Sequence, residues 1–304
     1  MLEQLSEIYL PLIAWTCVGF FLLGRVPESV PKLIGRSLFW IGVPLQVLGF
    51  TLRSDLSGAM WLVPLLVTLF LFISLAFAWL LSRQFPQTDR AAFLLAAVIG
   101  NTGFVGLAIA PSLVDQLGLS WVVLFSLTHN IVGSYGFGVA IASYYGEKQQ
   151  NKPWTKHLQS VLFTPALWAF GLGLWLKLQQ IELNPTIADS LEIAVNSVPA
   201  IALLLVGIRF REIRRWQYLK ISGLAALLKL LVLPLSLGIA VTLFGITDSP
   251  RLAIVLEAGM PTAIAGVILA EEYNFQSEII IISIAFTSVG VLLTIPLWLW
   301  LFPT

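Results

Sequence analysis

The sequence predicts an all-α integral membrane protein of about ten transmembrane helices, arranged as two inverted five-helix repeats. Three observations predict it: a near-continuous succession of apolar runs, an uneven placement of Lys and Arg among the loops, and a resemblance between the two halves. Of the 304 residues, 58% are hydrophobic and 11% charged, against about 25% charged in a soluble domain; mean hydropathy is +0.91. A spanning helix needs about 20 consecutive apolar residues, and such runs fill the chain. A multi-pass protein of the cell (plasma or inner) membrane follows, with the lipid bilayer as its solvent. The net charge of +1 and the lack of a basic tract argue against nucleic acid as a partner. Cys17 is the single cysteine, which excludes an intrachain disulfide.

The first run, 8–24, follows Glu3 and Glu7 where a signal peptide would carry basic residues, so it reads as a retained helix. Polar interruptions then bound helices at 33–52, 59–82, 91–113, 119–144, 158–178, 188–208, 219–244, 252–272 and 277–302. The most polar connection, Gly146–His157, divides a first repeat (1–145) from a second (158–304) as a cytoplasmic linker, 146–157. Odd-numbered loops hold Arg25, Lys32, Arg36, Arg83, Arg90, Lys148, Lys152, Lys156, Arg209, Arg211, Arg214, Arg215 and Lys220; even-numbered loops hold Arg53, Lys177 and Arg251. Basic residues accumulate on the cytoplasmic side, so both termini are expected outside. Glu271, Glu272 and Glu278 in the ninth loop weigh little in that rule. Trp61, Trp121, Trp154, Trp216, Trp298 and Trp300 fall near helix ends and read as an interfacial belt.

The halves share features at matching places. Val43-Pro44-Leu45 in helix 2 corresponds to Val198-Pro199-Ala200 in helix 7, and Asn101-Thr102-Gly103 in helix 4 to Pro261-Thr262-Ala263 in helix 9. Five helices per repeat is odd, so the second copy enters from the opposite side, an architecture of many secondary transporters.

Helix 4 has Gly100, Asn101, Thr102, Gly103 and Gly106 at its middle, and helix 9 has Gly259, Met260, Pro261, Thr262 and Gly266. Freed backbone groups in lipid are tolerated only against protein or a wet cavity. Paired Gly/Pro interruptions in two halves therefore mark a substrate site, although small residues also serve close helix packing. Half-helix ends would offer N–H groups to an anion and carbonyls to a cation, so carbonyls near Asn101 and Pro261 are candidates for Na+.

Buried charge comes next. Glu257, one turn before Pro261, is either paired, protonated and able to carry H+ through a cycle, or at an exposed mouth. Lys229 is a counter-ion to Glu257 or to an anionic substrate, or it snorkels to the surface. His129 either relays protons or holds structure through a hydrogen bond. Gln46, Asn130, Asn196 and Ser197 either line the place where the repeats meet or bond between helices. No enzyme signature is present, neither His-Glu-x-x-His nor Gly-x-Ser-x-Gly nor a P-loop, and no cofactor is implied.

The motif Asn101–Leu107 resembles the mid-helix motif of bacterial auxin efflux carrier family proteins. So do Met260–Ala263 with Val267–Tyr273, the ending Thr287–Leu297, and Pro199–Gly207. The resemblance implies a ten-helix inverted-repeat fold related to the bile acid sodium symporters and sodium/proton antiporters. Helices 4 and 9 would be broken and would cross, and a scaffold domain would move against the crossover domain. Family substrates are organic anions such as auxin or dicarboxylates. Plant members place proline at both crossovers, whereas helix 4 here has Gly100-Asn101, which predicts a softer first break. The expectation is an alternating-access carrier of a small organic anion, not an enzyme, or else a sodium-coupled symporter or a monovalent cation/proton exchanger. The apolar helix faces are compatible with a homodimer as well as with lipid.

Overall fold

A computed structural model describes residues 2–23, 26–27, 29–53, 62–146, 163, 165–211 and 218–304. Among them the chain is helical, with no strand and one isolated antiparallel backbone bridge. The helices are α1 (Leu2–Phe21), α2 (Ser29–Arg53), α3 (Val63–Ser82), α5 (Gln116–Tyr145), α6 (Pro165–Leu178), α7 (Pro185–Phe210), α8 (Leu219–Leu243) and α10 (Glu278–Leu301). The fourth and ninth apolar runs are each two half-helices: α4a (Gln87–Val98) and α4b (Thr102–Ser112), then α9a (Asp248–Ala258) and α9b (Ala265–Tyr273). Among the described residues six helices, α2, α3, α5, α7, α8 and α10, are long and apolar enough to cross a membrane. The chain is thus an all-α, multi-pass membrane protein. Arg25, Lys148, Lys152, Lys156, Arg214, Arg215, Trp61, Trp154, Trp216 and the linker beyond Gly146 lie outside the described residues, as do the side chains of Arg209, Glu271 and Glu272.

Local sequence explains several boundaries. Asp115 caps α5, its carboxylate accepting the Gly118 N–H at 2.8 Å. Asn274 ends α9b in the left-handed region (φ 57°), which asparagine tolerates. Two helices are locally widened into π-helix, at Leu38–Gly42 just before Pro44 and at Leu228–Val232 just before Pro234. A proline ring clashes with the carbonyl four residues earlier; those carbonyls belong to Trp40 and Leu230, inside the widened turns. Further π segments occupy Thr102–Gly106 and His129–Gly138. The segments at 102–106, 129–138 and 228–232 each carry a residue of the centre described below, as π segments at functional sites commonly do.

The helices pack in two groups. In one, α1 lies along α7 and α6 along α2, with α2 touching α7; in the other, α3, α4, α5, α8, α9 and α10 surround one another. The groups meet where α2 touches α5 and where α7 touches α4b and α10. The α1–α7 seam is built on glycine: a Cβ at Gly19 would collide with the Leu204 carbonyl, and one at Gly207 with the Thr16 carbonyl. Small residues let membrane helices approach closely enough to gain dispersion energy that lipid does not supply. Two of the expected interfacial tryptophans are instead core residues, Trp121 at 4% and Trp298 at 2% exposure. Both sit on the faces of α5 and α10 that turn inward; Trp300 remains on the outside.

Candidate functional site

The broken helices cross. Ile99–Asn101 and Met260–Ala263 run antiparallel past each other, the Asn101 N–H donating to the Pro261 carbonyl at 2.6 Å and the Ala263 N–H to the Ile99 carbonyl at 2.9 Å. Gly100 and Thr262 form the paired centre. On one side the Gly100 N–H donates to His129 Nε2 of α5 at 3.3 Å; on the other the Thr262 N–H donates to Thr287 Oγ1 of α10 at 3.0 Å. The last helix of each half therefore receives the central N–H of its own half. Two further carbonyls released by the break are also occupied. Thr262 Oγ1 donates to the Ala96 carbonyl at 2.8 Å, and Lys229 Nζ to the Val98 carbonyl at 3.0 Å. Backbone polar groups without water must be satisfied inside the protein, and here the two broken helices close each other's gaps.

The first break forms without a proline. Ile99 is extended (φ −82°, ψ 112°) and Asn101 non-helical (φ −82°, ψ 56°). Pro261 ends α9a by lacking an N–H; Gly100 acts through its missing side chain. A Cβ at Gly100 would lie 2.6 Å from Lys229 Nζ and 2.9 Å from Cε. The lysine tip rests against bare backbone.

Lys229, Glu257 and His129 are all fully buried. Lys229 does not snorkel, Glu257 is at no mouth, and His129 holds the break through its Nε2. Because Nε2 accepts, the neutral ring carries its proton on Nδ1; that nitrogen has no partner among the described residues. Lys229 lies within electrostatic reach of Glu257 and His129, yet no ion pair within 4.0 Å joins it to Glu257. An ion pair of that kind does join Arg53 and Glu192, at the surface. Both Glu257 oxygens are without a hydrogen-bond donor among the described residues. They rest on Gly106 of α4b, where a Cβ would be 2.6 Å from each. Glycine thus admits a charged tip at both ends of the crossing, Gly100 for the ammonium and Gly106 for the carboxylate.

A cavity of about 250 Å³ opens beside the crossing, between α1 and α7 of one group and α4b, α10 and the α9 break of the other. Its walls include Cys17, Val105, Leu203, Val206, Pro261 and Ser288. Pro261 is the residue through which the sequence-derived set reaches it. Asn101 turns back to cap α4b, Oδ1 accepting the Phe104 N–H at 3.2 Å. Thr102 is buried against Ser126 (Oγ–Oγ1 3.4 Å) and Asn130, whose Nδ2 donates to the Ser126 carbonyl at 2.8 Å. Gly103 packs near the same amide, 3.1 Å from an added Cβ, and Met260 is buried. Gln46 is buried in α2 with neither amide atom partnered among the described residues. Asn196 and Ser197 are exposed on α7, and Ser197 Oγ donates to its own helix at Ile193; they are not part of the crossing. Sequence reasoning missed Thr287, Ser288 and the pairing of Gly106 with Glu257. A threonine–serine step amid the apolar α10 was the available signal for the first two.

A family model described as membrane transport protein matches residues 5–299. An uncharacterized transporter of Methanothermobacter thermautotrophicus is 24% identical over 306 residues, covering 96% of this chain and 97% of the relative. One from Methanocaldococcus jannaschii is 22% identical over 308 residues, covering 97% and 98%. The transporter YfdV of Escherichia coli, likewise uncharacterized, is 22% identical over 223 residues, covering 72% and 70%. With its helices crossing at paired breaks and nearly its whole length matched, the chain belongs to the membrane transport protein family, that of the auxin efflux carriers.

Proposed function

We propose that the protein is a secondary carrier of a small organic anion, working by alternating access, with the substrate seated in the cavity against Pro261. The observation that carries this reading is the position of that cavity. It lies between the two helix groups and against the crossing of the broken helices, where a relative movement of the groups would change its access. A volume of about 250 Å³ is just below the usual range for pockets of drug-sized ligands, so it suits a small molecule. The apolar walls suit the body of such a molecule. The half-helix N-termini of α4b and α9b give the crossing a positive component suited to a carboxylate.

The packing supports two inverted repeats, 1–145 and 158–304, joined by 146–157. Shifting every helix number by five maps α1–α7 onto α6–α2, α3–α4a onto α8–α9a, and α5–α9a onto α10–α4a, and each of these pairs is in contact. In this reading α1, α2, α6 and α7 form the scaffold and the other six the moving crossover domain. Both termini face outward in the cell membrane.

The test is thermal stability of the purified protein against a panel of carboxylates, followed by uptake of any stabilising compound into proteoliposomes. A carboxylate at about 100 times its Kd should add about 2.7 kcal/mol. Leu203→Trp, which fills the cavity, should erase that shift while leaving the ligand-free melting temperature nearly unchanged. Asn101→Ala should lower the ligand-free stability by about 1 kcal/mol through loss of the cap and weaken ligand binding as well. No stabilisation by any carboxylate, together with no uptake, would overturn the organic-anion reading.

The native thiol gives an independent check. Cys17 is exposed and lines the cavity, so a maleimide should block uptake by about tenfold, with Cys17→Ser resistant and bound substrate protective. Equal sensitivity of Cys17→Ser would place the modified group elsewhere and remove the cavity from the pathway.

A further inference from the structure

The lysine tip sits where a coupling ion would be expected. The C-terminal end of α4a presents carbonyls to the crossing, and three of them are met by donors from the second half. Ala96 is met by the Thr262 hydroxyl, Ile99 by the Ala263 N–H and Val98 by Lys229 Nζ. Two of these donors belong to residues of the crossing segment itself, one a hydroxyl and one a backbone N–H. The third is a positive charge carried in on a side chain from α8, through a π-widened turn at Leu228–Val232 that re-aims the residue. The ammonium is fully buried, 3.0 Å from the Val98 carbonyl and packed on Gly100, with the Met260 carbonyl lining the same spot. Fully buried on the other face of the crossing is Glu257, within electrostatic reach and without a hydrogen-bond donor among the described residues.

We propose that Lys229 is a tethered substitute for a mobile cation: its ammonium occupies the crossover's cation position, so the wild-type protein neither binds nor needs a monovalent metal ion there. The charge balance carries the argument. Lys229 and Glu257 sum to zero inside a low-dielectric core, where an additional cation would arrive with no charge left to neutralise it. Removal of the lysine charge leaves a buried carboxylate, the freed Val98 carbonyl and a void the size of the lysine tip. That combination recruits a hard cation to oxygen ligands. Lys229 is thus a specificity-determining residue for coupling, favouring the anion-carrier reading over sodium symport. For its bearing on coupling the inference rests on the carrier reading above; the ion preference of the crossing itself does not.

The experiment measures melting temperature of substrate-free protein in NaCl, LiCl, KCl or choline chloride at constant ionic strength. Wild type should melt at one temperature in all four. Lys229→Ala should gain a saturable, metal-cation-dependent increase of about 3 °C or more over choline. Lys229→Ala/Glu257→Gln, which removes both charges, should lose that response. If Lys229→Ala fails to fold in choline, its recovery on purification in one of the metal salts has the same meaning. A saturable sodium shift in wild type overturns the proposal, as does a folded Lys229→Ala indifferent to every cation, or one recovered in none of them. Because no substrate is present, these outcomes are separate from those of the uptake assay on which the carrier reading stands.

Discussion

Gly100→Val is expected to abolish uptake and to destabilise the protein by about 3 kcal/mol or more, the cost of stranding a buried charge. The first added atom would fall 2.6 Å from Lys229 Nζ and 2.9 Å from Cε. The lysine tip can yield only by leaving the Val98 carbonyl, which accepts from it at 3.0 Å. The backbone cannot yield without opening the Asn101–Pro261 and Ala263–Ile99 bonds that hold the crossing together. Two comparisons set the scale. At Gly103 an added Cβ meets Asn130 Nδ2 at 3.1 Å, so Gly103→Ala should cost about 1 kcal/mol, near the low end for overpacking. At Gly171 of α6 nothing lies within 4 Å, so Gly171→Ala should be neutral or slightly stabilising, since alanine favours helix over glycine. Melting temperatures and proteoliposome uptake of the three variants should fall in that order. A Gly100→Val protein as stable and active as Gly171→Ala would show that the Gly100–Lys229 contact does not govern the site.

Gly207→Leu is the second large effect, expected to detach α1 from α7 at a cost of about 3 kcal/mol or more. Here the obstacle is backbone: an added Cβ would collide with the Thr16 carbonyl and lie 2.8 Å from the Phe20 nitrogen. Neither atom can rotate away as a side chain would, so the helices must separate. Thr16, Cys17 and Phe20 are walls of the cavity, so ligand-induced stabilisation should vanish while the crossing stays intact. Amide exchange along α1 should rise selectively, with α4a and α9a still protected. Uniform exchange across all helices would instead mean that the seam is part of one cooperative unit.

Much of this was legible in the residues. The apolar runs and the Gly/Pro interruptions placed most helices to within a few residues, the start of α1 excepted, and located both breaks, because lipid permits so few backbone solutions. The charged triad Lys229, Glu257 and His129 was legible too, since ionisable groups in a spanning run are costly enough to need a reason. What each one touches was not. His129 could have relayed protons; its role as acceptor for Gly100 depends on a contact 29 residues away in sequence. The correspondence of Thr287 with His129 was hidden for a related reason. A hydroxyl and an imidazole share no pattern, although both accept one N–H in the same relative place. Asn101 read as a ligand residue because asparagine is polar and central, but a cap uses the same chemistry. Trp121 and Trp298 read as interfacial by position along the chain; their inward faces follow from rotation about the helix axis, which an all-apolar run does not encode. The cavity walls are apolar residues like their neighbours, and nothing in composition separates a wall from a lipid contact.

The reciprocal closure of the crossing has a consequence for biosynthesis. The chain emerges from the ribosome N-terminal half first, and the Ala96, Val98 and Ile99 carbonyls take donors from residue 229 onward. When the first five helices reach the bilayer, these three carbonyls at the end of α4a lack the donors that meet them in the finished fold. The nascent half must therefore enter with its fourth segment as a continuous helix, or wait at the translocon until the ninth arrives. Opening into two half-helices is then a late event, made when the second half docks. A truncation after residue 145 would be inserted but not matured, and separately expressed halves would acquire the native fold only by meeting in the membrane.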